Sequence, residues 1–463
     1  MSRPWLVQVS VGLGVIITTF DTGGINVSLH TLATHFGVAA STVAWLPLLM
    51  FLVVTSTLLL FGRLSDQLGS KWIFAGGFAV YALGSALAGL ATSFGLLIAF
   101  RGLQAIGVSM LSANSMAILT ECFPPHKRGA VIGINSAVVG LGYFAGPILA
   151  GQLIANLGWR FVFLANVPVC LAGLFMAVLV LPMPRRRSQR LRFDFLGAFL
   201  FACMATSLLL AVNAAKSGAV FSAAVLGLVG LGAVTLGAFL FVERRVAEPM
   251  IDLGLFHSRL FSLSLASAFF LFVGTAGQDM LVPLFAQQIL LQSPATAGMI
   301  AAVVPFVRML LASPSGLLSD RIGSRWLSGL GAGLTALGGL GLYTLTYNPS
   351  IVWLVGSLVL IGLGTGLFFS PNMHATMASV PPDRLGTAAG ALGVRRNLGQ
   401  SFGVALAACL LQAGGAGAEA GVPGFQLAFG VEATSVTVAV LAAVSAGSTL
   451  TAARRAGLAR AAK

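Results

Sequence analysis

Gly62-Arg63-Leu64-Ser65-Asp66-Gln67-Leu68-Gly69-Ser70-Lys71-Trp72 returns 254 residues later as Gly316-Leu317-Leu318-Ser319-Asp320-Arg321-Ile322-Gly323-Ser324-Arg325-Trp326. Seven of the eleven positions are identical, where chance in a Gly/Leu/Ser-rich background gives about one. Each copy is a short polar stretch between two apolar runs. The chain therefore reads as two related halves, and the nature of the flanking runs decides what kind of fold they build.

Those runs are written for lipid. Of 463 residues, 57% are apolar and 8% are charged, against about 25% charged in an ordinary soluble domain. Mean hydropathy is +0.96. A soluble enzyme with a wet surface is excluded, and so is a disordered chain, which is charge-rich. Fourteen segments are long enough to cross a bilayer as helices, each needing about 20 residues. The first six are Leu6–Leu29, Val43–Phe61, Trp72–Thr92, Phe94–Leu119, Gly129–Ile154 and Phe161–Leu181. Two linking segments follow, Phe195–Ala214 and Val220–Val242, with no clear polar face and hence expected at the periphery. The last six are Leu260–Leu284, Ala297–Leu318, Trp326–Leu345, Val352–Ser370, Gly386–Leu411 and Phe425–Ala446. The expected fold is an all-α polytopic membrane protein. It has a six-helix half at 1–181, a linker with two extra spans at 182–259, and a second half with a tail at 260–463.

A net charge of +14 would suggest nucleic acid in a soluble chain. Here the basic residues sit between apolar runs and report topology. With the N-terminus inside, loops and tails on that side hold 20 of the 26 Lys and Arg, including the run Arg185, Arg186, Arg187, Arg190 and Arg192. Outer loops hold only Arg160 and Lys216. This bias puts both termini in the cytoplasm. The first apolar run continues past Asp21, which does not fit a cleaved leader. Cys122, Cys170, Cys203 and Cys409 are too scattered for a disulfide framework or a metal site. No nucleotide-binding motif points to ATP, and no cofactor, metal or catalytic nucleophile is expected.

Four arginines and three acids fall inside the apolar segments: Arg101, Arg308, Arg395 and Arg396, with Asp21, Asp279 and Glu432. Intramembrane ionisable residues are costly and default to a functional reading. Asp21 lies about 22 Å from the inner end of its helix at 1.5 Å per residue. Arg101, about seven residues below the outer end of an oppositely directed helix, reaches similar depth in a core about 30 Å thick. Burial disfavours a carboxylate and an adjacent guanidinium favours it. Such a pair suits a switchable proton carrier, and a static buried ion pair fits the same positions. Asp279 is read either as a second proton or cation site or as a water-exposed vestibule acid. Arg308, Arg395 and Arg396 are read either as contacts for an anionic substrate group or as partners of Asp279, Glu432 or backbone carbonyls.

The repeated Gly-x-x-x-Asp-x-x-Gly-x-(Arg/Lys) stretch resembles the signature of the major facilitator superfamily. With fourteen segments, the chain is similar to that family's drug:proton antiporters of the multidrug and quaternary-ammonium type. Phe20-Asp21 through Asn26-Val27, Arg101-x-x-Gln104-x-x-Gly107 and Arg396-x-x-Gly399-x-x-x-Gly403 resemble motifs of the first, fourth and eleventh helices. Trp159-Arg160-Phe161 with Asn166-Val167-Pro168 resembles the entry to the sixth helix. Gly142-x-x-x-Gly146-Pro147-x-x-Ala150-Gly151 resembles the antiporter motif, with Ala150 where the family usually has glycine, so that looser packing is expected there. The resemblance implies proton-coupled export of an amphipathic small molecule by alternating access across a bacterial inner membrane, as a monomer. An anionic or lipid-like cargo is the alternative. It further implies that Gly62, Asp66, Gly69 and Lys71, with Asp320 and Arg321 in the second copy, latch one conformation.

Overall fold

The structure is a computed structural model in which residues 4–182, 195–214, 222–246, 253–345, 347, 349–380, 385–413 and 422–461 are described. The Arg-rich connection at 183–192 lies outside the described residues, as do the side chains of Arg63, Asp66, Asp320 and Arg321. Among the described residues every regular element is helical. The order is α1 (Pro4–Phe36), α2 (Ala40–Val43), α3 (Trp45–Leu68), α4 (Ser70–Gly89), α5 (Phe94–Cys122), α6 (Pro125–Leu157), α7 (Arg160–Leu164), α8 (Asn166–Val180), α9 (Phe195–Ala214) and α10 (Ala223–Glu243). A 3-10 turn, Leu253–His257, leads to α11 (Arg259–Gln288), α12 (Pro294–Ala301), α13 (Val303–Ile322), α14 (Ser324–Leu345), α15 (Ile351–Ala378), α16 (Leu385–Ala413) and α17 (Val422–Ala461).

Among the described residues, eleven helical stretches are long and apolar enough to cross a membrane, and the protein is a multi-pass membrane protein. Three expected spans fall short of that measure although they form helices. In α14 the reason is composition: Gly329, Gly331, Gly333, Gly338, Gly339 and Gly341 replace larger apolar residues. In α16 it is the polar group Arg395, Arg396, Asn397 and Gln400. The third, α9, is apolar along nearly its whole length, Phe195–Ala214, and falls outside that measure only because several of its side chains lie outside the described residues.

Three expected spans are each divided by one residue, at Ala44, Ala165 and Ala302. Each division precedes a proline by three residues: Pro47, Pro168 and Pro305. A proline ring clashes with the carbonyl four residues earlier. Those positions are Val43, Leu164 and Ala301, the last residues of α2, α7 and α12. The preceding helix ends where the clash would begin.

The structure separates the two glycines of the first copy, Gly62 and Gly69. α3 runs through Gly62 to Leu68, and a Cβ at Gly62 would meet nothing within 4 Å. The turn falls on Gly69, with φ 97°, and on Gly323, with φ 94°, in the second copy. Both lie in the left-handed region that only glycine enters cheaply. Lys71, at the start of α4, is buried with its Nζ 5.7 Å from the Trp72 ring.

α1 packs on α6 and α5, and α11 packs on α17 and α16. The largest apolar core spans both regions: Ile25, Leu29 and Phe163 join Met280, Phe285 and Phe429. Gln287 Nε2 donates to the Val27 carbonyl at 3.0 Å, tying α11 to α1. α10 packs against α9 and exposes Leu226, Val234 and Phe241, as a peripheral helix should. α9 does more than the sequence suggests, since it bridges α3 and α16.

Candidate functional site

The first polar centre is built where α1, α4 and α5 meet. Gly84 and Gly107 bring the α4 and α5 backbones together: a Cβ on Gly84 would lie 2.7 Å from the Gln104 nitrogen, and one on Gly107 would lie 2.6 Å from the Tyr81 nitrogen. This close crossing sets Ser85 and Tyr81 around the Arg101–Gln104 turn. Arg101 Nη1 donates to Asp21 Oδ1 at 2.7 Å and to Gln104 Oε1 at 2.6 Å. Gln104 Nε2 donates to Ser85 Oγ at 2.8 Å and reaches Asp21 Oδ1 at 3.5 Å. Arg101 is 0% and Asp21 3% exposed. Thus the depth arithmetic brings together the intended pair. The pairing is incomplete: Asp21 Oδ2, Arg101 Nε and Nη2, and the Tyr81 hydroxyl have no hydrogen-bond partner among the described residues. A buried centre with spare donors and a spare acceptor can be rearranged without first breaking a saturated network.

The glycines of the antiporter-like stretch clamp α1 at this acid. A Cβ on Gly142 would strike Thr19 Oγ1, and one on Gly146 would lie 2.6 Å from the Phe20 carbonyl oxygen. Gly151 faces the other way and lies against the Pro294 carbonyl of α12, while Gly298 of α12 lies against the Pro147 carbonyl. Ala150 does not loosen the packing. It is fully buried, and a Cβ on Gly24 would sit 3.0 Å from the Ala150 methyl, so a glycine on α1 has made room for it.

The second centre is a cavity of about 870 Å³, counting its open mouth. Its walls come from both parts of the chain: Asn26 of α1 and Tyr143 of α6, Gln278 and Asp279 of α11, Arg308 of α13 and Gln400 of α16. Phe51, Pro147 and Thr365 add apolar and hydroxyl surface. On α1, Thr22, Gly23 and Asn26 face the cavity, whereas Asp21 turns away toward Arg101. The Arg308 guanidinium stands 5.3 Å from the Tyr143 ring centre, a cation–π geometry. Asp279 is exposed to the cavity. The cavity thus offers one acid, one base, three amides and two aromatic rings.

Two expected members do not join it. Arg395 is buried and donates to the Ser264 carbonyl at 3.2 Å and to Asn372 Oδ1 at 3.4 Å. Asn372 Nδ2 in turn donates to Ser267 Oγ at 3.0 Å. Arg395 therefore ties α16 to α11 and α15, realising the backbone-carbonyl alternative for this residue. Arg396 is exposed and does not line the cavity. Asn26 and Gln104 stand inside quoted motifs and Gln278 beside the intramembrane acid Asp279, so their positions were available to the sequence. Gln400 and Tyr143 fall at unspecified positions within quoted stretches and carried no signal beyond being polar or aromatic.

A many-helix bundle with a polar-lined cavity between two groups of helices defines a membrane transporter. Residues 11–255 and 263–456 match the family model of the Major Facilitator Superfamily, and the chain belongs to that family. Among curated proteins it is 31% identical over 408 residues to "Riboflavin transporter RibZ" of Clostridioides difficile (strain 630), covering 88% of each chain. It is 30% identical over 411 residues to "Multidrug resistance protein Stp" of Mycobacterium tuberculosis (strain ATCC 25618 / H37Rv), covering 88% of this chain and 76% of that one. Among solved structures, "Crystal structure of a POT family transporter in complex with 5-aminolevulinic acid" superposes with a TM-score of 0.71. That match has 14% identity and covers 96% of this chain and 97% of that one, a likeness of fold alone.

Proposed function

We propose that this transporter is a proton-coupled antiporter that exports amphipathic small molecules by alternating access. The observation that carries this reading is the Asp21–Arg101 pair, wholly buried yet incompletely hydrogen-bonded, on the face of α1 opposite the cavity. When α1 moves against α5, the carboxyl loses or regains its guanidinium and its proton affinity changes with conformation. The α6 glycines hold α1 at this point, so motion of α6 against α12 is felt at Asp21. Proton motive force supplies about 2.3 kcal/mol per charge per 100 mV. Relatives named as multidrug resistance proteins support the export of drugs.

The same reading takes the chain as fourteen spans, two six-helix halves joined by α9 and α10, with both termini in the cytoplasm of a bacterium and the protein acting as a monomer. Asp66 and Asp320 with their basic neighbours are the conformational latch. Asp279 and Arg308 form the part of the substrate site that carries charge.

A second reading is favoured by the cavity chemistry. Three amides, two aromatic rings and Arg308 suit a polar or anionic ring metabolite better than a purely lipophilic cation. The likeness to a protein named as a riboflavin transporter points the same way. The deciding experiment is substrate-induced pH change in proteoliposomes, using ethidium, a zwitterion and riboflavin. Proton movement with ethidium supports drug antiport. Proton movement with riboflavin alone supports the metabolite reading. Transport of either without proton movement rejects antiport.

A further inference from the structure

α17 presents a stripe of buried residues to α11 at alternating spacings of four and three: Phe425, Phe429, Glu432, Val436, Ala439 and Ala443. All are at most 4% exposed, and five are apolar or small. Glu432 interrupts the stripe at its centre. It is 0% exposed, and neither carboxyl oxygen has a hydrogen-bond partner among the described residues.

The surroundings are built to admit it. On α11, Gly274 and Gly277 lie one turn apart. A Cβ on Gly274 would lie 2.9 Å from the Glu432 carbonyl oxygen, and one on Gly277 would collide with Glu432 Oε1. The carboxyl thus occupies a slot that exists because residue 277 has no side chain. One and two turns before Glu432 on α17, Phe429 and Phe425 stack on each other, and Phe285 of α11 meets both edge-on. Gln278, the next residue, is 3% exposed, with both amide atoms unpartnered among the described residues. It borders both α17 near Ala433 and the cavity. Asp279 follows and opens into the cavity. Three consecutive residues of α11 therefore lead from the Glu432 slot to the cavity wall.

Around Glu432, the described titratable groups on the helices packed against α17 are Arg259 and Asp279 on α11, Tyr343 on α14, and Arg395, Arg396 and Cys409 on α16. Asp279, two residues after Gly277, is the acid nearest the slot along α11. Arg395 is engaged by Ser264 and Asn372. A carboxylate facing carbon, backbone and a like charge would be an uncompensated ion in lipid. A neutral carboxylic acid is the form that such a slot accepts.

We infer that Glu432 is a second proton-binding site, loaded while the α11–α17 seam is closed and exchanging with the cavity through Asp279. The inference rests on the antiport reading only for its use in transport. The step is a simple proton transfer: the O–H bond at Glu432 breaks as one forms at the Asp279 carboxylate, and no other reactant is needed. The negative charge then moves from the cavity wall into the slot, and opening of the seam relieves it.

The test uses the full-length protein in proteoliposomes with Glu432→Gln, Glu432→Leu and Asp21→Asn. Infrared spectroscopy of wild type at neutral pH should show the carbonyl stretch of a protonated carboxyl that is absent in Glu432→Gln and shifts in D2O. Absence of that band, or a band that never exchanges, overturns the proposal. Protons moved per ethidium or riboflavin should fall by one in Glu432→Gln. Under a one-unit pH gradient the limiting accumulation ratio then falls about tenfold. Full stoichiometry in Glu432→Gln or in Glu432→Leu, which completes the apolar stripe, also overturns it. If Asp21→Asn couples like wild type, the antiport assignment at Asp21 fails instead, while the infrared result still decides Glu432.

Discussion

α1 and α11 are related by the 254-residue offset of the repeated stretch, yet their acids stand in opposite surroundings. On α1 the acid turns away from the cavity and is held at 2.7 Å by a buried arginine. On α11 the position 254 residues after Asp21 is Thr275, whose hydroxyl is satisfied by the Leu271 carbonyl of its own helix. The α11 acid stands one turn further on, at Asp279, and opens into the cavity. At this offset the two helices differ in chemistry. α1 carries a buried acid–arginine pair. α11 carries an acid that lines the cavity together with Arg308 of α13.

The largest expected effect is that of Asp21→Asn. It keeps size and hydrogen bonding but cannot release a proton, so pH-driven uphill export should disappear while the protein stays folded and inserted. Accumulation of ethidium or riboflavin by this variant under a pH gradient would erase the contrast between the two acids. Next is Arg101→Gln, which leaves Asp21 buried without its cation. Breaking a buried pair from one side costs about 3–5 kcal/mol, so thermal unfolding in detergent should shift down markedly. Adding Asp21→Asn should recover most of the loss, and failure to do so would show that the arginine matters for packing alone.

A smaller effect is expected at the cavity. Arg308→Ala should weaken an anionic ligand by one charge-assisted bond, about 1.5–3 kcal/mol, or roughly tenfold to a hundredfold in Kd. A monocation should bind unchanged or slightly better, and Asp279→Asn should show the reverse preference. Equal losses for both ligands would mean that this pair shapes the cavity without reading charge. The smallest effect separates the two glycines of the repeated stretch. Gly62→Ala lies mid-helix in open space and should stabilise by about 0.5–1 kcal/mol, whereas Gly69→Ala should destabilise because φ is 97° there.

Apolar segmentation and the repeated stretch made the helical membrane fold legible before any coordinates. Depth was legible too, because residue counts along a helix convert to distance, and this is why Asp21 and Arg101 were matched correctly. Azimuth was not. Helices apolar on nearly every side carry little sign of which face meets which neighbour. Arg395 was therefore left open between the cavity and backbone carbonyls, and it points to Ser264 and Asn372; Glu432 stood as a possible partner for arginine although its slot faces Gly277. The breaks at Ala44, Ala165 and Ala302 were written in the prolines three residues later. They stayed unread because an apolar run looks continuous when only hydropathy is followed.

The α6–α12 contact, where Gly151 meets Pro294 and Pro147 meets Gly298, has a thermodynamic consequence. These surfaces are mostly backbone, and glycine and proline carry no rotamers to freeze when helices join or to recover when they part. Closing and opening there exchanges dispersion contacts with lipid and neighbouring helices at almost no side-chain entropy. A junction of leucines would gain disorder on each opening, and its free-energy difference would drift with temperature. At this seam the side-chain entropy change is small, so the free-energy difference between open and closed forms should stay nearly level across the range in which the bilayer remains fluid.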